Sequence, residues 1–187
     1  MRWFWIDRFL DFVSGERAVA VKAITLSDEP LDGYVPCYPV QPCSLIIEGL
    51  AQTGGLLVAE HNQFRERVVL AKIGRAVFHT PARPGDLLRY TAFVEDIRAD
   101  GAMCRCTSHV GDTLQAEVDL VFAHLDDRFP GQDLFEPDGL LRTLRFLRLF
   151  DVGRTREGRP LTIPSHMLAA EAADLSRAQS SGETAYP

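Results

Sequence analysis

The stretch Tyr34-Val35-Pro36-Cys37-Tyr38-Pro39-Val40-Gln41-Pro42-Cys43-Ser44-Leu45-Ile46-Ile47-Glu48-Gly49-Leu50-Ala51-Gln52 decides how this chain is read. Its prolines stand at 36, 39 and 42. Each fixes φ, offers no backbone donor and drives the preceding residue out of the helical region. The segment up to Pro42 is therefore a stiff, extended loop. An apolar run follows at once and carries one acid, Glu48, near its start. The loop aims Tyr34 and Cys43 at the first turns of a buried helix. A lone carboxylate in such a run has either a partner or a task, because an unpaired buried charge is costly. The structural alternatives for Glu48 are capping the proline loop or pairing with a facing arginine.

Outward from this stretch, residues 44–64 are long enough for a helix, with Cys43 or Ser44 at its start and Asn62 near its end. Gly49, Ala51, Gly54 and Gly55 weaken it, each glycine costing about 1 kcal/mol against alanine. Small residues there imply that another backbone passes close, as for a helix gripped by a curved sheet. On the N-terminal side, residues 18–26 alternate and read as a first strand, and 27–42 as loop. Residues 1–13 are aromatic and apolar, but Asp7 and Arg8 interrupt them and no small-residue cleavage site follows. They read as an amphipathic turn or helix packed on the domain, not as a signal peptide.

On the C-terminal side come strand-like runs at 68–79, 87–97, 102–110 and 114–125. Turn signals separate them, Ala99-Asp100-Gly101 and Gly111-Asp112 being short enough for antiparallel hairpins. One strand, one long helix and a meander make an α+β plan. Residues 137–150 read as a further helix. Leu140, Leu141, Leu144 and Leu147 lie on an apolar face, with Arg142, Arg145 and Arg148 beside it. That arginine row is either a solvated face or a surface for an acidic partner. Residues 154–164 read as linker, 168–178 as a short helix and 179–187 as a frayed tail. The division implied is a domain over 1–127 and an extension over 128–187.

With 187 residues, one core is the natural expectation. Hydrophobic content of 46% and mean hydropathy of −0.05 describe an ordinary globule. No run approaches the ~18 apolar residues of a membrane span, and the cytoplasm is the expected compartment. A formal charge of −6 and a pI near 5.3 argue against nucleic-acid binding. They also require a local basic patch if an acidic carrier is to dock. Cys37, Cys43, Cys104 and Cys106 form no CxxC pair. Cys104 and Cys106 share a strand face and read as small buried hydrophobes, the alternative being zinc if the two pairs meet.

The 34–52 stretch resembles the active-site motif of the β-hydroxyacyl-(acyl carrier protein) dehydratases, FabZ/FabA-like hot-dog enzymes of fatty-acid synthesis. That motif reads His-Phe-Pro-Gly-x-Pro-x-x-Pro-Gly-x-Leu-x-x-Glu-x-x-x-Gln. Its prolines fall on Pro36, Pro39 and Pro42, its acid on Glu48 and its glutamine on Gln52. Its catalytic histidine falls on Tyr34, and its two glycines on Cys37 and Cys43. The resemblance covers about residues 6–127. It implies a hot-dog fold, a curved antiparallel sheet wrapped around a long central helix, here with a helical C-terminal extension. It further implies a homodimer or multiple of dimers, an acyl thioester on acyl carrier protein or coenzyme A as substrate, and no metal or redox cofactor.

Dehydrating a β-hydroxyacyl thioester takes a base for the α-proton, an acid for the departing hydroxyl and donors for the thioester oxygen. In the family the histidine is the base and the acid handles the hydroxyl. The backbone N–H at the last glycine, here Cys43, polarises the carbonyl. Pro36 and Cys37 belong with Cys43 among the substrate-binding positions. Tyrosine, with a reference pKa of ~10, is ionised to about one part in a thousand at neutral pH. Neutral, it donates a hydrogen bond but takes no proton as imidazole does. Three readings follow. Glu48 serves as base with Tyr34 as donor in a weakened dehydratase. Alternatively the chain is a catalytically silent acyl-binding or partner subunit, or a thioesterase in which Glu48 and Gln52, one helical turn apart, hold a water. His61 and His79 are further candidates for the cleft, or simply satisfied or exposed.

Overall fold

The computed structural model describes residues 4–28, 38–125 and 136–181. In chain order the elements are β1 (Arg8–Val13), β2 (Arg17–Ala23), α1 (Cys43–His61), β3 (Arg67–Phe78), β4 (Leu87–Arg98), β5 (Gly101–Val110) and β6 (Thr113–Leu125). There follow α2 (Pro137–Phe146), the single turn α3 (Leu149–Val152), β7 (Gly153–Arg154) and α4 (Ser165–Ser181). The strands form one sheet in the order β3-β6-β5-β4-β2-β1-β7. Neighbours are antiparallel except the short parallel pair β1–β7. Helix α1 touches β2, β3, β4, β5 and β6, so the sheet wraps it in the hot-dog arrangement.

The strand sequences explain why the helix lies so close. Strand side chains alternate faces, and the buried rows are Ala18 and Ala20; Leu88, Tyr90 and Ala92; Ala102, Cys104 and Cys106; Ala116, Val118, Leu120 and Phe122. Seven of these twelve are alanine or cysteine, which lowers the floor under α1. Cys104 and Cys106 are free thiols buried in that floor, and burial pushes the Cys104 thiol up to about 12. A Cβ added at Gly49 would stand 2.5 Å from Cε2 of Tyr90 and 2.8 Å from the carbonyl oxygen of Trp5. One at Gly54 would meet the Phe122 ring at 3.3 Å. The helix glycines thus receive aromatic rings and one carbonyl, where the sequence suggested a passing backbone alone.

Several expectations change. The N-terminal segment is not a helix: Arg8–Val13 is a strand, paired with β2 from Arg8↔Val21 to Val13↔Arg17. Helix α2 stops at Phe146 rather than 150, because Arg148 adopts a left-handed φ of 60°. The stretch read as linker is pinned, with Gly153 and Arg154 on β1 and the Arg154 guanidinium 2.5 Å from Asp11. Helix α4 runs longer than expected, through 181; the tail beyond it lies outside the described residues.

The arginine row does not present free charge to a carrier. Arg142 pairs with Asp138 at 2.6 Å and also with Asp174 of α4; Arg145 pairs with Glu171; Arg148 lies 3.1 Å from Asp151. These exposed pairs contribute little each, about 0–1 kcal/mol. The buried leucines do more: Leu141, Leu144, Leu147 and Leu149 join the same core as Leu50 and Leu57.

Replacing Gly49 by alanine should therefore destabilise the protein by about 1–3 kcal/mol despite the better helix propensity, as overpacking does. Gly139→Ala, where a Cβ meets nothing within 4 Å, should be neutral or stabilising by up to about 1 kcal/mol. Urea midpoints of the two variants check the contrast.

Candidate functional site

Helix α1 begins at the end of the proline stretch. Pro42, with φ −55° and ψ 133°, occupies the cap position, and its carbonyl accepts from the N–H groups of Leu45 (3.0 Å) and Ile46 (3.2 Å). The approach to the cap is tied to the turn between β3 and β4. Gln41 donates its backbone N–H to Ala82 O at 2.8 Å. The Arg83 guanidinium stacks 4.5 Å above the Tyr38 ring and donates to its hydroxyl. Cys43 is exposed in the first turn, where helix N–H groups have no intrahelical acceptor and favour a negative oxygen. Burial of its sulfur raises the thiol pKa, against the pull of its own backbone N–H. Tyr34, Pro36 and Cys37 lie outside the described residues.

Glu48 and Gln52 are brought together. The Gln52 Nε2 donates to Glu48 Oε1 at 2.9 Å, and Gln52 Oε1 accepts the backbone N–H of Trp5 at 2.8 Å. The Trp5 donor fixes which end of the amide is oxygen, and so turns the NH₂ toward the carboxylate. Both side chains are half-buried. They open onto a cleft of about 1060 Å³ whose α1 wall is Glu48, Gln52, Gly55 and Ala59, one face of the helix at i, i+4, i+7 and i+11. The first residues of β3, Phe122 and the side of α2 complete it. Arg65, Glu66, Glu136 and Arg142 give the lining its charges besides Glu48 and Arg67. Small-molecule sites usually span about 300–1,000 Å³, so the volume suits a sizeable ligand.

The histidines stand elsewhere. His79 lies 3.0 Å from Glu117 and His124 2.7 Å from Glu66. His61 is at the far end of α1, about 20 Å along the helix from Glu48 at 1.5 Å per residue. It lines a separate cleft of about 470 Å³ with Ser14, Gly15 and Arg156. Glu60, next to it, is a second acid of α1; burial raises its pKa, with a hydrogen bond to Ser14 acting the other way. Among the described residues no three His, Cys, Asp or Glu side chains gather as a metal site. No helix among them is long and apolar enough to cross a membrane. The part played by the Trp5 N–H is invisible in the sequence, because a main-chain donor leaves no mark in residue type. Nor does residue type show that α2 lines the same cleft as Glu48, although the apolar face of α2 is visible.

Sheet, central helix and cleft define a hot-dog α+β protein. The chain belongs to the FabA-like family: a family model described as a FabA-like domain matches residues 3–117. The 3-hydroxyacyl-[acyl-carrier-protein] dehydratase FabZ of Symbiobacterium thermophilum is 36% identical over 126 residues, covering 67% of this chain and 89% of that protein. The same enzyme of Desulforamulus reducens is 34% identical over 119 residues, covering 63% and 84%. Among solved structures, protein PH1136 of Pyrococcus horikoshii superposes with a TM-score of 0.55 at 16% identity, over 68% of this chain and 88% of that one. At that identity the likeness speaks for the fold.

Gln52→Leu should cost about 1–3 kcal/mol, since it leaves the half-buried Trp5 N–H and Glu48 Oε1 without this partner. Denaturation against wild type measures it; an unchanged midpoint would mean that the relay does not hold the N-terminal strand.

Proposed function

We propose that the protein is a 3-hydroxyacyl-thioester dehydratase of fatty-acid synthesis, acting on acyl groups carried by acyl carrier protein or coenzyme A. The observation that carries the reading is the Trp5–Gln52–Glu48 relay beside an apolar cleft, in a chain of the FabA-like family. In this reading the Glu48 carboxylate takes the α-proton and passes it to the β-hydroxyl as that group leaves. The products are the enoyl thioester and water, and the carboxylate is restored. Gln52 positions Glu48. The first-turn N–H of Cys43 faces the developing enolate oxygen, where a helix N-terminus stabilises charge. The reading assigns Tyr34 as hydrogen-bond donor to the hydroxyl or carbonyl, and Pro36 and Cys37 as substrate-binding positions.

The working unit proposed is a dimer. Strand β3 pairs only with β6 among the described residues. Its far side offers an open edge beside exposed Leu70 and Ile73. Residues 1–127 are taken as the catalytic domain and 128–187 as its extension. Tyrosine in place of the motif histidine favours one second reading, a silent acyl-binding subunit that pairs with an active relative.

The test is to incubate the purified protein with a 3-hydroxydecanoyl thioester and follow enoyl product and free thiol together. Enoyl formation reduced about 100-fold or more by Glu48→Gln is the expected result. Thiol release instead would make the protein a thioesterase. No product from wild type, with turnover appearing in Tyr34→His, would make it the silent subunit.

A further inference from the structure

We infer that α2 is the outer wall of the acyl-chain site and that Leu140 and Thr143 set the chain length accepted; this rests on the thioester reading above. The α1 side of the cleft runs from Glu48 to Ala59, about 16 Å at 1.5 Å per residue. Its hydrogen-bonded relay stands at one end. Beyond Gln52 the lining turns apolar, with Gly55, Leu56, Ala59, Phe64, Val68 and Phe122. Along α1 that gradient, from a carboxylate to a hydrocarbon surface, matches a thioester head with an aliphatic tail, while the charges of Arg65, Glu66 and Arg67 stand between Phe64 and Val68 on the same lining.

Across from α1 stand Gly139, Leu140 and Thr143 of α2, with Leu147 just past its end. The Thr143 hydroxyl is engaged by the Gly139 carbonyl of its own helix at 3.0 Å, so this wall adds no unsatisfied hydroxyl. The wall is also fixed. Leu141, Leu144 and Leu147 are fully buried, and the Leu147 carbonyl accepts the Phe9 N–H of β1 at 2.8 Å. Helix α4 braces the opposite side through the Arg142–Asp174 and Arg145–Glu171 pairs. All of α2 lies beyond residue 117, where the FabA-like match ends. This wall is therefore added to the family domain and lines the same cleft as its acid. Of the two exposed β3 residues, Leu70 lines the cleft and Ile73 stands outside it, so the open sheet edge adjoins the cleft at its β3 end.

The test is calorimetric binding of acyl-pantetheine amides, which lack the scissile thioester and the β-hydroxyl and so cannot turn over. The series runs in even steps from butanoyl to hexadecanoyl. Wild-type affinity should rise by up to about fourfold per methylene and then level off where the chain fills the cleft. Leu140→Trp should move that plateau to shorter chains and Leu140→Ala to longer ones, with butanoyl affinity within about twofold of wild type. Thr143→Phe is the second narrowing variant, and circular dichroism confirms which variants are folded. A plateau that stays put in the folded variants overturns the inference, as does wild-type binding that ignores chain length. So does an unchanged profile with altered sedimentation in Leu140→Trp, which would assign the cleft to a second copy. Failure of dehydration with the plateau shift intact would sink the proposed activity and leave this wall standing.

Discussion

The Tyr90 ring seated against Gly49 sets the height of the central helix above the sheet, and the placement of the site follows from it. Tyr90 is fully buried and its hydroxyl has no hydrogen-bond partner among the described residues. Burial, with the Asp7 charge nearby, pushes its pKa well up. A buried hydroxyl without a partner costs about 1–3 kcal/mol. Ring packing must offset that cost, which it does only if the ring fits closely. The absent side chain at Gly49 provides the fit. The Trp5 carbonyl approaches the same point, and one atom group away the Trp5 N–H bonds Gln52. A single peptide segment is thus held on α1 both where the helix is narrowest and where its acid is positioned. Packing and site geometry share one contact.

The elements legible in the sequence are those whose local period agrees with their environment. Strands β4, β5 and β6 alternate cleanly because one face lies on α1 and the other on solvent. Strand β1 was not legible as a strand, and the reason is local. Its register shifts between Phe9 and Asp11, and such a bulge breaks the period of two on which strand reading depends. Phe9, Phe12 and Val13 all end up buried, a spacing that mimics a helical face. The end of α2 was illegible for another reason. Arg148 takes the left-handed conformation that glycine usually supplies, so no residue type announced the stop. The partners of Arg142 and Arg145 lie some thirty residues away on α4, beyond any helix-face pattern.

The site divides in the same way. Glu48 and Gln52 were readable because one helical turn separates them and nothing else polar interrupts the run. Pro42 was readable as a boundary, though it caps α1 with its carbonyl and not with a side chain. The third member of the relay is a main-chain N–H from the other end of the domain, and the cleft wall is a helix nearly a hundred residues downstream of the acid. Tertiary structure alone brings either into range.

The surroundings of Glu48 bear on the choice between a structural and a chemical acid. As a structural residue it would cap the proline loop or neutralise an arginine. The first-turn N–H groups of Leu45 and Ile46 bond to Pro42 O and α1 has no side-chain cap, while loop residues 34–37 lie outside the described residues. None of the ion pairs among the described residues includes Glu48. Its hydrogen bond is to a neutral amide, on one oxygen. A guanidinium in that place would hold a carboxyl ionised. An amide fixes its orientation through Oε1. A carboxylate oriented by an amide and paired with no cation among the described residues, on the lining of the cleft, is the arrangement on which the proposed proton transfer rests.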